Sequence, residues 1–306
     1  MRIKILGSAA GGGFPQWNCN CRNCSGVRDG TLRTAARTQS SIAVCGADST
    51  HWALVNASPD ILAQLQANPA LRGARTVRDS AIEGIVLVDG QIDHTVGLLM
   101  LRESGSALRV WCTEEVCADL TDGNPVFDVL AHYCGVDRQA MIPGGPRFAI
   151  SGVAGVTWRA IAVAGKAAPY SPHRESPVTG DNVALVIGDE TSGRTAVYAP
   201  GVGAIHEALW QAMQAAACVL IDGTFWSDDE MIALGVSRKR ARDIGHLPQS
   251  GPGGMLEWLG RLPQATRRFL IHVNNTNPIL DEDSAERAEL ARRGVEVAWD
   301  GLEIAL

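Results

Sequence analysis

Metal-binding side chains gather at three points of this sequence, and their types favour different ions. Cys19, Cys21 and Cys24 fall within six residues, in Asn18-Cys19-Asn20-Cys21-Arg22-Asn23-Cys24. Three soft thiolates on one short loop suit tetrahedral Zn2+, with a fourth ligand supplied from elsewhere in the chain. Asp93 and His94 stand together in Gln91-Ile92-Asp93-His94-Thr95, just beyond the apolar run Ile85-Val86-Leu87-Val88, which reads as a buried strand. His272 ends a second apolar run, Phe269-Leu270-Ile271, and enters the turn Val273-Asn274-Asn275-Thr276-Asn277-Pro278. One carboxylate and two neutral imidazoles leave open positions on a metal, an arrangement that suits non-haem Fe(II) and dioxygen. The same donors accept Zn2+, which the usual affinity order favours over Fe(II).

Further side chains are placed for proton transfer or substrate binding. His246 lies in a Gly/Pro turn, Asp243-Ile244-Gly245-His246-Leu247-Pro248, ahead of a helix. Asp222 follows the apolar run Cys218-Val219-Leu220-Ile221, where a carboxylate either faces a site or caps a turn. His173 sits in the polar loop Ser171-Pro172-His173-Arg174-Glu175-Ser176-Pro177, which could fold over a site. The basic run Arg238-Lys239-Arg240-Ala241-Arg242 reads as solvated, or else as the partner of carboxylates on a small acidic substrate. Cys45, Cys112, Cys117, Cys134 and Cys218 occur singly and read as small buried hydrophobes. His51, His132 and His206 have no comparable context.

The elements that must hold these residues alternate between strand and helix periods. Arg2–Gly7 reads as a strand entering a Gly-rich loop, Gly7 to Gly13, which lacks the GxGxxG spacing and the Gly-Lys-Ser/Thr ending of a nucleotide site. Ser40–Val44 and Trp52–Asn56 read as an antiparallel pair, followed by a helix from Ile61 to Gln66. Then come a strand at Gly84–Val88, a helix at Val96–Arg102, a short strand at Arg109–Cys112, and helices at Glu114–Leu120 and Val126–Tyr133. Gly144 to Gly165 is strand-rich, and Asn182–Ile187 with Thr195–Ala199 forms a hairpin. Helix Ile205–Ala217 leads to the strand Cys218–Ile221; helix Gly254–Leu262, strand Arg268–His272, helix Ser284–Arg293 and strand Val295–Ala298 complete the pattern. Mixed strands and then strand–helix alternation, twice over, predict an α/β chain of two sheets between helices.

Bulk properties exclude several classes. The 306 residues carry 27 basic and 33 acidic side chains, a net charge of −6 with no block of one sign, which argues against a nucleic-acid partner and an anionic membrane surface. No apolar run reaches the roughly 20 residues of a membrane helix, and Met1–Gly13 lacks the apolar core of a signal peptide. Eight cysteines in such a chain read as reduced thiols in the cytoplasm, some on metal. With no repeat or linker, residues 1–306 read as one domain.

Several long stretches resemble the pyrroloquinoline quinone (PQQ) biosynthesis protein B family, within the metallo-β-lactamase fold. They are Gly11-Gly12-Gly13-Phe14-Pro15-Gln16-Trp17-Asn18-Cys19-Asn20-Cys21, Gln91-Ile92-Asp93-His94-Thr95, Gly245-His246-Leu247-Pro248 and His272-Val273-Asn274-Asn275-Thr276-Asn277-Pro278, and the resemblance spans the whole length. It implies an αββα sandwich with a structural zinc on Cys19, Cys21 and Cys24. Related phosphodiesterases complete such a site with a His at the position of Asn275, whose amide oxygen is a weaker and harder ligand. Hydrolases of this fold carry His-x-His-x-Asp-His at the first active-site turn. Here Asp89 and Gln91 replace the two leading histidines, leaving at most an additional pocket, and Tyr198-Ala199-Pro200-Gly201 lacks the bridging Asp of two-metal relatives.

The resemblance therefore implies a single iron, replaceable by zinc, on Asp93, His94 and His272. The implied activity is hydroxylation, with molecular oxygen, of the tyrosine ring in a cross-linked Glu–Tyr precursor of PQQ. His246, helped by Asp222 or His173, would move protons. Two other readings stay open: a zinc-dependent hydrolase using Asp89 or Gln91 for a second metal, and a carrier that transports PQQ or its precursor. The expected partners are that small molecule and oxygen, with no membrane insertion; a homo-oligomer is compatible with this reading.

Overall fold

The apolar runs form two seven-stranded sheets in the computed structural model, which describes residues 1–47, 50–73 and 75–306. The first sheet takes β1 (Arg2–Gly7), β2 (Ser41–Cys45), β3 (Trp52–Val55), β4 (Ile82–Val86), β5 (Leu108–Cys112) and β6 (Val136–Ala140) in chain order. The second takes β7 (Phe148–Ala149), β8 (Val156–Ala162), β9 (Val183–Asp189), β10 (Thr195–Ala199), β11 (Cys218–Asp222), β12 (Arg267–Ile271) and β13 (Glu296–Val297). A last strand, β14 (Glu303–Ala305), returns to pair with β1.

Every residue of β2, β3, β9 and β11 is buried. Covered on both faces, these strands have no polar side to alternate with, so they read as unbroken apolar runs. Ile3, Val44, Trp158, Leu185, Tyr198 and Phe269 pack between the sheets. Behind the first sheet, Leu54, Leu87, Val116 and Leu130 belong to a second apolar layer that seats helices Ile61–Ala67, Glu114–Ala118 and Val126–Ala131. Behind the second, Met213, Leu259 and Leu290 seat helices Glu207–Ala215, Met255–Gly260 and Ala285–Arg292. Fully burying one such large side chain contributes roughly 1.5–3 kcal/mol, so three continuous layers supply the main stabilisation. The result is the helix–sheet–sheet–helix order expected from the sequence.

Strands β3 to β6 run parallel, and so do β10 to β13. Their carboxyl ends face the same crevice, where a parallel sheet presents its loops to ligands. Isolated bridges Asp89↔Asn182 and Ala9↔Val273 tie loops of one sheet to loops of the other across that edge. No described helix is long and apolar enough to cross a membrane.

Two elements differ from expectation. Cys24 lies in a helix, Arg22–Asp29, so only Cys19 and Cys21 belong to a loop. That helix buries Asn23, Cys24 and Gly26, a set with no apolar stripe to betray it. Strand β6 was invisible because it is a half-exposed edge of mixed polar composition, Val-Asp-Arg-Gln-Ala. The helix expected after His94 forms over Val96–Leu101 and takes the tight 3-10 form. Its Gly97 presses on the neighbouring loop: the amide donates to the Ala57 carbonyl, 2.9 Å, and a Cβ would lie 2.0 Å from the Ser58 carbonyl oxygen. Gly97→Ala is expected to lower stability by about 2 kcal/mol or more, because backbone rather than a side-chain tip must yield. A denaturant midpoint measures that loss, and weaker divalent-metal binding should accompany it since Asp93 and His94 share the displaced turn.

Candidate metal centre

Beyond β4 the chain stays buried through Leu87 and Val88, then turns at Asp89 into a short helix, Ile92–Thr95. Asn56, in the left-handed region at φ 61°, accepts from the Val88 amide at 3.2 Å, and the His94 carbonyl accepts from the Ala57 amide at 2.7 Å. The loop after β3 thus clamps the turn at both ends. His272 follows β12 with φ 61°, a conformation that β-strand residues avoid and that re-aims its ring towards Asp93.

The donor atoms converge. Asp93 Oδ2 lies 3.1 Å from His272 Nε2 and 3.7 Å from His94 Nε2. Ligand atoms each about 2.1 Å from one ion stand some 3–4 Å apart, so these spacings fit a shared metal. His94 Nε2 is buried with no hydrogen-bond partner, an orphan that a metal would satisfy. The other ring nitrogen of each imidazole is already engaged. His94 Nδ1 meets both oxygens of Asp89 at 2.8 and 2.9 Å; His272 Nδ1 meets Thr224 Oγ1 at 2.9 Å; His246 Nδ1 meets Asp222 Oδ2 at 2.7 Å. Pinning Nδ1 in this way leaves Nε2 of each ring as the nitrogen available to a metal or a proton.

Asp222, His246 and His272 form a second close group, but Asp222 is fully committed. Its Oδ2 accepts from the Val202 amide and His246, and its Oδ1 from the amide and hydroxyl of Thr224. Asp222 therefore orients His246 and Thr224 from behind rather than reaching the cavity. His246 does line the cavity, its ring 5.6 Å from that of His272 and packed edge-on to Phe225. Asp89 also lines it while held to His94 and the Gln91 amide; the Gln91 side chain donates to the Lys166 carbonyl at 3.2 Å. His173 is not among the lining residues: its loop reaches the cavity through Arg174 instead, and His173 interacts electrostatically with Asp119 and Asp181.

Charge follows geometry. Burial alone would depress the His94 pKa, but the Asp89 and Asp93 carboxylates raise it to about 9. Burial likewise opposes ionisation of Asp93, yet His94 and His272 hold it well below the usual carboxylate range. Without metal the cluster keeps a proton that a divalent cation must displace.

At the second cluster, the Sγ atoms of Cys19, Cys21 and Cys24 lie within 4.8 Å of one another. The Asn275 amide touches all three, at 3.1, 3.8 and 3.3 Å respectively. Asn23 holds the Asn275 and Asn277 carbonyls at 3.1 and 2.9 Å. Three sulfurs this close fit the thiolate face of a tetrahedral ion, but Asn275 turns its amide nitrogen, a donor, to them, so the oxygen expected as the fourth ligand is not the atom that meets the sulfurs.

The Beta-lactamase superfamily domain model matches residues 51–273. "Coenzyme PQQ synthesis protein B" of Azoarcus sp. (strain BH72) is 61% identical over 307 residues, with 100% of both chains covered. This chain belongs to the coenzyme PQQ synthesis protein B family. The Methylobacillus flagellatus protein of the same name is 55% identical, again over the full length of both. The crystal structure of Zn(2+)-bound PqqB from Methylobacterium extorquens superposes with a TM-score of 0.90 at 39% identity and complete coverage of both chains. A diphosphatase of the PhnP family, at TM-score 0.68 and 16% identity over 100% of this chain and 97% of its own, shares the fold alone.

Sequence reasoning missed Thr224, whose signal was only its place two residues beyond Asp222, and Asp119, which packs beneath the active-site turn of this PQQ synthesis protein B fold. A Cβ on Gly90 would lie 2.4 Å from Asp119 Oδ2. Burial, reinforced by the Asp181 and Asp89 charges, pushes the Asp119 carboxyl up to about 6 despite the Ser171 hydroxyl. Below about pH 4 this carboxyl is protonated folded or unfolded, and Asp119→Asn should be neutral. As pH rises through 4 to 6 only the unfolded chain ionises, so the parent loses stability. Above pH 6 Asp119→Asn is expected to be the more stable by on the order of 2 kcal/mol, read from denaturant melts across pH. Asp89→Ala, which frees the His94 ring, should weaken divalent-metal affinity at Asp93 about 10–100-fold while leaving the cysteine cluster loaded, as metal titration would show.

Proposed function

We propose that this chain is an oxygenase of PQQ biosynthesis that holds one Fe(II) on Asp93, His94 and His272 and hydroxylates the tyrosine ring of a cross-linked Glu–Tyr precursor. The observation that carries the reading is the compact set of Asp93, His94 and His272, while the carboxylate of the neighbouring Asp222–His246–His272 group is saturated by four hydrogen bonds. That saturation leaves the second metal of a hydrolase without its carboxylate, and a facial two-His, one-carboxylate set is the usual seat of Fe(II) with open positions for oxygen. Family membership supplies the pathway.

Bound there, iron would supply dioxygen activation and would acidify a phenol brought to it. The chain's own residues do the rest. Asp93 gives the one anionic donor, while Asp89 and Thr224 hold the His94 and His272 rings in place. His246, its Nδ1 tied to Asp222, has Nε2 left to take the phenolic proton, and Asp222 stabilises the imidazolium. Burial opposes that charge, but Asp222 raises the His246 pKa overall. Phe225 packs edge-on against the His246 ring and helps hold its orientation. Each hydroxylation consumes one O2 and two electrons from an external reductant, inserting one oxygen atom and releasing the other as water. The cysteine cluster takes a structural zinc and no part in the chemistry.

Anaerobic Fe(II) loading tests the reading. The intact protein should hold one zinc and one iron and consume oxygen with a hydroxyphenyl substrate; His94→Ala should keep the zinc and lose the iron. Two zincs besides the cysteine site would instead support a hydrolase, and no metal beyond that site a carrier.

A further inference from the structure

Away from the metal centre and the cysteine cluster, two further thiols meet. Cys112 ends β5 and is buried; Cys117 lies in the helix Glu114–Ala118 and is half-buried. Only Thr113 separates strand from helix, and it caps that helix. Its Oγ1 accepts from the Val116 amide at 3.1 Å, and its carbonyl accepts from the Cys117 amide at 3.0 Å. The chain thereby folds back over its own strand end, and both cysteines join the apolar layer behind the first sheet. There the two side chains hydrogen-bond thiol to thiol.

Arg138 completes the group. The register of β5 on β6 pairs Val110 with Arg138 and Cys112 with Ala140, so Arg138 stands on the sheet face that Cys112 uses, one pleat away. Its Nη2 donates to Glu114 Oε2 at 2.6 Å, which holds the guanidinium against the start of the helix. Nε is buried and has no hydrogen-bond partner among the described residues. An unanswered buried N–H of a cation costs free energy, and a thiolate beside it would answer the charge.

The two sulfurs are not equivalent. The Cys112 hydrogen bond and the Arg138 charge bring the Cys117 pKa down to about 7, against the opposing effect of burial. The same hydrogen bond, together with burial, pushes the Cys112 thiol well above the ordinary range. At neutral pH one sulfur is thus a half-buried thiol with thiolate character, and its neighbour is a buried thiol that keeps its proton. That is the division between an attacking and a resolving cysteine.

We propose that Cys112 and Cys117 form a redox-active dithiol that hydrogen peroxide converts to a reversible disulfide. The Cys117 thiolate attacks one peroxide oxygen, the O–O bond breaks, and hydroxide leaves and takes up a proton, giving a sulfenic acid and water. Cys112 then attacks that sulfur, loses its proton and expels a second water. Overall two thiols and one peroxide give one disulfide and two waters, with two electrons passing from sulfur to oxygen. Asp119, two residues beyond Cys117, packs under Gly90, so the bond closes within a helical turn of a contact to the metal-bearing turn.

Zinc-loaded protein is treated with hydrogen peroxide, blocked with iodoacetamide and mapped by peptide mass spectrometry. A Cys112–Cys117 disulfide should form, and dithiothreitol should remove it. In Cys112→Ala the resolving thiol is gone, and dimedone should trap a sulfenic acid on Cys117; in Cys117→Ala, Cys112 should stay unmodified. Without peroxide, iodoacetamide at pH 7 should label Cys117 ahead of Cys134, which is equally half-buried. Arg138→Met should slow that labelling about tenfold as the thiol returns towards its ordinary value, and Arg138→Lys should recover most of the rate. The disulfide and the Cys117-to-Cys134 comparison are both read in the unsubstituted chain, so they decide the matter even where a variant fails to fold. Absence of the disulfide, pairing of Cys117 with another cysteine, or equal labelling of Cys117 and Cys134 overturns the proposal.

Discussion

The site depends on how the far side of each imidazole is occupied. A histidine ring has two nitrogens, and whichever one is engaged by a fixed partner decides what the other can do. Here Asp89, Thr224 and Asp222 occupy Nδ1 of His94, His272 and His246, so three Nε2 atoms are left to act together. Asp222 governs two of them, directly through His246 and through the Thr224 hydroxyl behind His272. It does so from complete burial, with all its lone pairs answered, which is the condition under which a buried carboxylate is tolerated.

The sandwich makes this possible by bringing two sets of strand ends to one crevice. Asp93 and His94 come from beyond β4 in one sheet, His272 and Asp222 from the ends of β12 and β11 in the other. Each sheet is covered on both faces, so its strands are rigid, and the only freedom left is in loops that the bridges Asp89↔Asn182 and Ala9↔Val273 cross-brace. A site assembled from two rigid halves is held to the precision that metal ligation requires.

The convergence of Asp93, His94 and His272 was legible because each follows an apolar run that announces a strand end, and a metal-capable side chain at a strand end is a local signal. The cysteine spacing was legible for the same reason. Asn275 was legible only through family resemblance, since an amide carries no ligand signature of its own. His173 was the misleading residue: in a tight turn adjacent side chains diverge, and Arg174 takes the cavity side. Asp89 showed its position but not its work, because a lost ligand and an outer hydrogen-bond partner look alike in sequence. Thr224 and Asp119 act through contacts 48 and 29 residues away, to His272 and Gly90, separations at which one sequence offers no pattern.

Asn275 and His272 occupy the same buried turn, three residues apart, and Asn277 ties that turn to the Gly223 and Thr224 carbonyls and to Gln249. The turn thus has one end among the sulfurs and the other beside Asp93 and His94. Ions held at both ends of such a shared segment would be thermodynamically linked: whatever loosened one end would change the affinity at the other, reciprocally. Oxidation of Cys19 or Cys21, both only half-buried, would then be felt as a shift in how tightly the distant carboxylate and imidazoles grip their metal.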